Sequence, residues 1–302
     1  MKRNKQRPPT PQRPPGEGFL DSFTEAQLDE WTRGGDVLQK LADKVYFELE
    51  LLRAAKYDAL CEALRSSPGV SVDVNGWSRV TDWRWSLSPL STAGSVNGIG
   101  GRFNIGETLD RARGQAFPCL YIAQTVETAY AEYFGETLST QMGPLKLGEL
   151  ALRRESSFTT FLLNGRIERV LDLREDTSLE PFTDIIRHFN FSSQTKAAFR
   201  SAGLRQREII RTAKHLRRRL LMEPKAWRQE PTVFGIPVAN QIFGRFARDA
   251  DWEAILYPSR RGSGLCLGIF PENFKASDSR INVVGLVPNG ATHTVLDKTH
   301  LL

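Results

Sequence analysis

Seven short apolar runs constrain the fold of this chain more than any other feature. They are WRWSL (83–87), CLYIA (119–123), LKLGELAL (145–152), RVLDL (169–173), EAILYPS (253–259), GLCLGIF (264–270) and INVVGLV (281–287). Each is bounded by turn-forming residues and is rich in branched or aromatic side chains, so each reads as a strand. Helical periodicity appears between them at 125–135, 181–220 and 237–249, but not once per strand. A doubly wound parallel sheet requires that regular alternation. Strands in groups with helices interspersed predict a mixed α+β domain.

Before these runs the texture is different. Residues 1–18 are rich in proline and basic side chains, too poor in apolar surface to fold, and read as a disordered tail. Residues 19–70 read as a helical extension. Ser22 and Glu25 have capping-box spacing. Leu38, Leu41, Val45, Leu49, Leu52, Leu60 and Leu64 then recur at spacings of three, four or their sums, which predicts one or two amphipathic helices. SSPGVSVDVNG closes this region with turn residues. Residues 71–302 form the remaining, strand-bearing domain.

Charge and cysteine usage exclude several classes. The net charge is +6, but five basic residues sit in the first sixteen and seven in 205–219, so the rest of the chain is net acidic. That distribution argues against a broad nucleic-acid surface. On a helix, Arg207, Arg211, Lys214 and Arg218 fall on one face and Ile209, Ile210, Ala213, Leu216 and Leu220 on another, the pattern of a solvated amphipathic helix. The same face suits an acidic partner. Three scattered cysteines and four histidines have neither disulfide-framework nor metal-ligand spacing. No run approaches the ~20 apolar residues of a membrane span, and the basic N-terminus lacks the apolar core of a secretory signal. A cytoplasmic setting is expected.

The stretch GIGGRFNIGE (98–107) is either a plain turn or a loop presenting Arg102 to an anion. CLYIAQTVETAYAEYFG then reads as a strand ending at Tyr121, a turn capped by Thr125, and a helix carrying Glu132 on the face of Thr125 and Thr128. TDWRWSL places Arg84 in an aromatic strand, where it needs an acid or a phosphate as partner. ILYPSRRGSGLCLGIF puts Ser259 in a turn between two strands, with Arg260 and Arg261 read as solvated.

In order, these pieces resemble the RES domain, a family named for an arginine, a glutamate and a serine. The carriers are a strand arginine, GGRFN, LYIA with an acid-bearing helix, VLDL, and YPSRR before GLCLGIF, spanning about residues 78–272. The resemblance implies an ADP-ribosyltransferase-like core, α+β with a mostly antiparallel sheet. It also implies NAD as the substrate, with no metal or bound cofactor. The family arginine matches Arg84, with Arg79 as the competing position. Its glutamate matches Glu132, with Glu127 as runner-up, and its serine matches Ser259. Gly100, Gly101, Arg102, Asn104 and Tyr121 would complete the NAD site with Arg84. The sequence departs from the family in the insertion DRARGQAFP, in Trp85 where tyrosine is common, and in a long 140–230 region.

The resemblance implies action on NAD; several members of that family serve as toxins that deplete it by hydrolysis or phosphorolysis, often paired with a small helix-turn-helix antitoxin. That activity is the expectation here. Homo-oligomerisation is compatible with it. Transfer of ADP-ribose to a macromolecule is the alternative, disfavoured by the lack of an ExE or QxE motif beside Glu132. A non-catalytic nucleic-acid or partner-binding protein is the third reading.

Overall fold

The computed structural model of the chain describes residues 25–109, 115–134, 157–205, 209–222, 224–285 and 287–301. The basic tail, the capping box at Ser22 and the run 145–152 lie outside the described residues.

The helical periodicity at the N-terminus produces two helices, α1 (Glu25–Ala54) and α2 (Tyr57–Arg65). Leu60 and Leu64 of α2 are fully buried. They share a core with Leu171, Phe246 and Trp252 far along the chain, and the Trp252 indole donates to the Leu64 carbonyl at 2.9 Å. This packing of the apolar face, worth roughly 1.5–3 kcal/mol per fully buried large side chain, holds α2 against the strand-bearing part.

The strands are β1 (Val70–Asp82), β2 (Leu120–Ala123), β3 (Phe158–Asp172), β4 (Ala254–Pro258), β5 (Leu265–Ile269), β6 (Arg280–Val284) and β7 (Val295–Leu296). Among the described residues they form one sheet in the order β1-β2-β5-β4-β3-β6-β7. β1 also pairs along β3, from Val70↔Val170 to Asp82↔Phe158, so β1, β2, β5, β4 and β3 close into a ring. Only β3 and β4 run parallel; the other pairings are antiparallel. The α+β class and the mostly antiparallel sheet are as expected from sequence.

The remaining helices are α3 (Val126–Phe134), α4 (Glu180–Ile186), α5 (Ser193–Ser201), α6 (Ala213–Leu220), α7 (Pro224–Phe234) and α8 (Ala239–Asp249). Thr125 caps α3 as its position predicts, its hydroxyl accepting from the Thr128 amide at 3.1 Å.

Side-chain alternation along the strands sorts two cores. Leu120, Ile122, Leu256, Leu267 and Ile269 face one apolar cluster. Cys119, Tyr121, Ala123, Tyr257 and Cys266 face the other, toward the helices. That second face is where the site lies, because the period of two sends every other residue of β2, β4 and β5 into it.

Three expectations are corrected. Trp83–Trp85 is a single 3₁₀ turn, not a strand; the strand precedes it, and VSVDVNG is its first half rather than a terminating turn. The segment 209–220 is not helical throughout. Helix α6 starts only after Thr212, whose hydroxyl accepts from the His215 amide at 3.1 Å. Arg211 stands before it, donating to the Phe189 carbonyl at 3.0 Å and the Asn190 side chain at 2.8 Å.

Candidate active site

A cavity of about 360 Å³ opens on the helix-facing side of β1, β2 and β5. Its wall is assembled from Arg79 and Asp82 of β1, the 98–107 loop, Tyr121 of β2, Glu132 and Tyr133 of α3, and the strands and turn around Tyr257, Arg261 and Cys266.

Glu132 enters because α3 starts at the end of β2 and seven residues bring its side chain back over the Thr125 face. The β4–β5 turn meets it there. The Ser259 hydroxyl donates to Glu132 Oε1 at 2.6 Å and accepts from the Arg261 and Gly262 amides at 3.1 and 2.8 Å. The Arg260 amide reaches the same carboxylate oxygen at 3.4 Å. Arg261 Nε lies 4.0 Å from Glu132 Oε2, its side chain only 12% exposed. Arg261 is therefore a wall residue, not the solvated cation expected from sequence. Glu127 is exposed in the first turn of α3 and away from the cavity.

Two arginines compete for the strand position. Arg84, in the 3₁₀ turn, lines the cavity but is 65% exposed, lies 3.3 Å from Asp82 and stacks over Trp85 at 5.5 Å. Arg79 is in β1, opposite Phe161. One of its nitrogens donates to the Ser91 carbonyl at 2.6 Å, while Nε and Nη1 are buried without a partner among the described residues. Burial pulls its pKa down to about 10, leaving it charged at neutral pH. A buried guanidinium with spare donors and no carboxylate is costly unless an anion completes it.

The 98–107 loop folds back on itself. The Asn104 side chain, fully buried, donates to the carbonyls of Ser95 and Phe117 at 2.8 and 3.0 Å and accepts from the Gly101 amide at 2.9 Å. It also accepts from the Tyr121 hydroxyl at 2.9 Å, which in turn accepts from the Phe103 amide at 2.8 Å. Gly100 has φ +85°, and a Cβ there would lie 2.5 Å from the Asn104 carbonyl oxygen; one at Gly101 would lie 2.6 Å from the Tyr121 hydroxyl. This corrects the reading of Asn104 as a substrate ligand, because its amide is consumed in holding the loop. The glycines likewise serve the loop's contact with itself first, although Gly100 and Gly101 still face the cavity.

Arg102 is buried beside Tyr257, 5.7 Å from the ring centroid. Nη1 donates to the Met222 carbonyl at 2.8 Å, and Nη2 is buried without a partner among the described residues. Burial raises the hydroxyl pKa values of Tyr121 and Tyr257 well above the ordinary tyrosine range, so both stay neutral donors. Asp82, whose carboxylate accepts from the Tyr133 hydroxyl at 2.5 Å, is a second acid on the wall. Sequence spacing did not flag it, because β1 reaches the cavity through its pairing with β2 and β3, both remote in sequence. Among the described residues no cluster of three or more His, Cys, Asp or Glu could hold a metal ion, and no helix is long and apolar enough to cross a membrane.

The cavity thus joins a fixed carboxylate to buried guanidinium groups with unused donors. The sequence matches the RES domain model over residues 77–290, well over half of the chain, and the chain belongs to the RES domain family. That span contains Arg79, Arg102, Tyr121, Glu132 and Ser259. Among solved structures, the chain overlays on the MbcT–MbcA toxin–antitoxin complex of M. tuberculosis with a TM-score of 0.38 and 15% identity, covering 77% of this chain and 93% of that one. No curated protein matches the chain.

Proposed function

We propose that the cavity binds NAD and that the chain cleaves its nicotinamide–ribose bond, acting as the toxin of a toxin–antitoxin pair. The observation that carries this reading is the Glu132 carboxylate, fixed by Ser259 in a cavity shared with the unpaired donors of Arg79 and Arg102. A pyrophosphate supplies the missing acceptors for those guanidinium groups. In this reading Arg79 takes the phosphate-binding role that sequence assigned to Arg84, and Arg84 lies at the exposed rim beside Trp85. The aromatic faces of Trp85 and Tyr121 suit the cationic nicotinamide.

As the C–N bond breaks, its electron pair passes to the nicotinamide nitrogen and neutralises the ring. Positive charge develops on the ribose, and the Glu132 carboxylate stabilises it there. Oε1 is occupied by Ser259, which leaves Oε2 for the sugar. Water, inorganic phosphate or a macromolecular nucleophile then completes the substitution. Asp82 gives the transfer reading a second carboxylate in the cavity, the one observation that favours it.

The test is chromatographic. Purified protein incubated with NAD should release nicotinamide. ADP-ribose as co-product means hydrolysis, ADP-ribose 1″-phosphate in phosphate buffer means phosphorolysis, and a mass increment on added protein means transfer. NAD that stays intact in every condition, in the absence of a co-purifying partner, overturns the enzymatic reading. The toxin role predicts growth arrest on expression, relieved by a co-expressed small helix-turn-helix protein encoded alongside.

A further inference from the structure

The back of the 98–107 loop rests on one side chain that the reaction itself does not use. Gln241, in the first turn of α8, is fully buried. Its Nε2 lies within donor distance of three loop carbonyls, Ile99 at 2.7 Å, Asn104 at 3.1 Å and Gly101 at 3.2 Å. Its Oε1 accepts from the Val238 amide at 3.3 Å. The carboxamide orientation is therefore fixed, with its oxygen on its own helix and both hydrogens on the loop. Three residues later the same helix face carries Gly244, where a Cβ would lie 2.0 Å from the Phe103 carbonyl oxygen. Helix and loop are in backbone contact there, so the loop has no room to retreat.

Arg102 sits between these anchors. On its other side the Met222 carbonyl, just beyond the C-terminus of α6, accepts from Nη1, and Nη2 has no partner among the described residues. Without the Gln241 amide, the Gly101 and Asn104 carbonyls would have to turn toward other donors and the Ile99 carbonyl would keep only the Gly106 amide, at 3.2 Å, and the loop would turn with them. We propose that Gln241 is a positioning residue, setting the placement of Arg102 and with it the affinity of the cavity for the anionic part of its substrate. The proposal rests on the NAD reading for the identity of that substrate.

Three variants test it. Gln241→Leu keeps the volume and removes the donor. Gln241→Glu can donate only while its carboxyl keeps a proton. Asn273→Ala is the control, since Asn273 clamps the other end of α8 by the same chemistry, donating to the Arg248 and Trp252 carbonyls at 2.8 and 2.7 Å. ADP-ribose binding is read by calorimetry, and kcat and KM by NAD turnover. Gln241→Leu should weaken ADP-ribose binding and raise KM at least roughly tenfold, the loss of about one well-made hydrogen bond to substrate, with a much smaller change in kcat. Gln241→Glu should bind progressively worse as pH rises, and Asn273→Ala should keep the wild-type KM. Unchanged binding in Gln241→Leu, or an equal loss in Asn273→Ala, overturns the proposal. Wild-type protein that neither binds ADP-ribose nor consumes NAD overturns the NAD reading instead. Amide exchange at 99–106 then still decides whether Gln241 holds the loop: faster exchange in Gln241→Leu supports that hold, and unchanged exchange overturns it.

Discussion

The Ser259 hydroxyl donates to Glu132 Oε1 at 2.6 Å across 127 positions of sequence. The same serine oxygen accepts from two amides of its own turn, so the proton can point only at the carboxylate. One glutamate oxygen is thereby fixed and the other remains for chemistry. Replacing Glu132 with Gln should lower nicotinamide release by at least about 100-fold, the usual scale for losing a group that stabilises developing charge. Ser259→Ala should cost less, about tenfold, and appear in kcat. A Glu132→Gln protein with near wild-type turnover would remove the carboxylate from the mechanism.

Arg79 and Arg84 should separate cleanly. Arg79→Ala removes buried donors that no described residue uses, and substrate binding should weaken by roughly 10–100-fold, as for a charge-assisted hydrogen bond. Arg79→Lys restores charge without the planar fork and should recover only part of the affinity. Arg84→Ala, mostly exposed beside Asp82, should change KM by less than about threefold. Steady-state NAD turnover of the three variants checks the ranking; the reverse order would return the phosphate role to Arg84.

A lowered arginine pKa gives a pH signature. Arg79, pulled down to about 10 by burial, loses its proton above that pH in the free protein. ADP-ribose affinity should then fall about tenfold per pH unit. Stability moves the other way. Between this value and the ordinary arginine range the unfolded chain holds more protons than the native one, so this group's contribution to stability rises with pH across that window. Titration of the binding constant between about pH 8 and 11, with Arg79→Gln as the flat reference, reads the effect.

Asn104 is an architectural residue, and its removal should be seen in stability before chemistry. Asn104→Ala strips partners from two buried carbonyls, the Gly101 amide and the Tyr121 hydroxyl. A loss of about 3 kcal/mol is expected from that many orphaned groups, measured as a shifted urea midpoint with an unchanged slope.

The cysteines offer a probe of the cavity floor. Cys61, Cys119 and Cys266 are free and buried, and burial pushes all three thiols up, Cys119 to about 12. Thiolate is the reactive form. A disulfide reagent at neutral pH should therefore label none of them in the native protein and all three after unfolding. Labelling of Cys119 or Cys266 without unfolding would show that the β2–β5 wall opens.

Local pattern alone carried much of this site. The period of two in CLYIA puts Tyr121 on one face, the Thr125 cap starts α3 where it does, and the 3.6-residue helical repeat returns Glu132 to that face. These are short-range consequences of backbone geometry, and the tertiary structure repeats them. What it decided for itself came from partners remote in sequence. Gly76 and Asn75 look like turn residues, yet Asn75 pairs with Asn164 of β3, and Gly76, at φ +67°, is absorbed as an irregularity within the continuing ladder. That pairing puts Arg79 in the strand, leaves Arg84 in the turn after it, and brings Asp82 to the wall. Arg261 left solvent because the β4–β5 turn folds onto α3, and Asn104 left the ligand set because its own loop uses its side chain. The amino-acid order determined which groups could converge. Only the closed sheet, by matching hydrogen bonds between strands tens of residues apart, determined which of them face the same cavity.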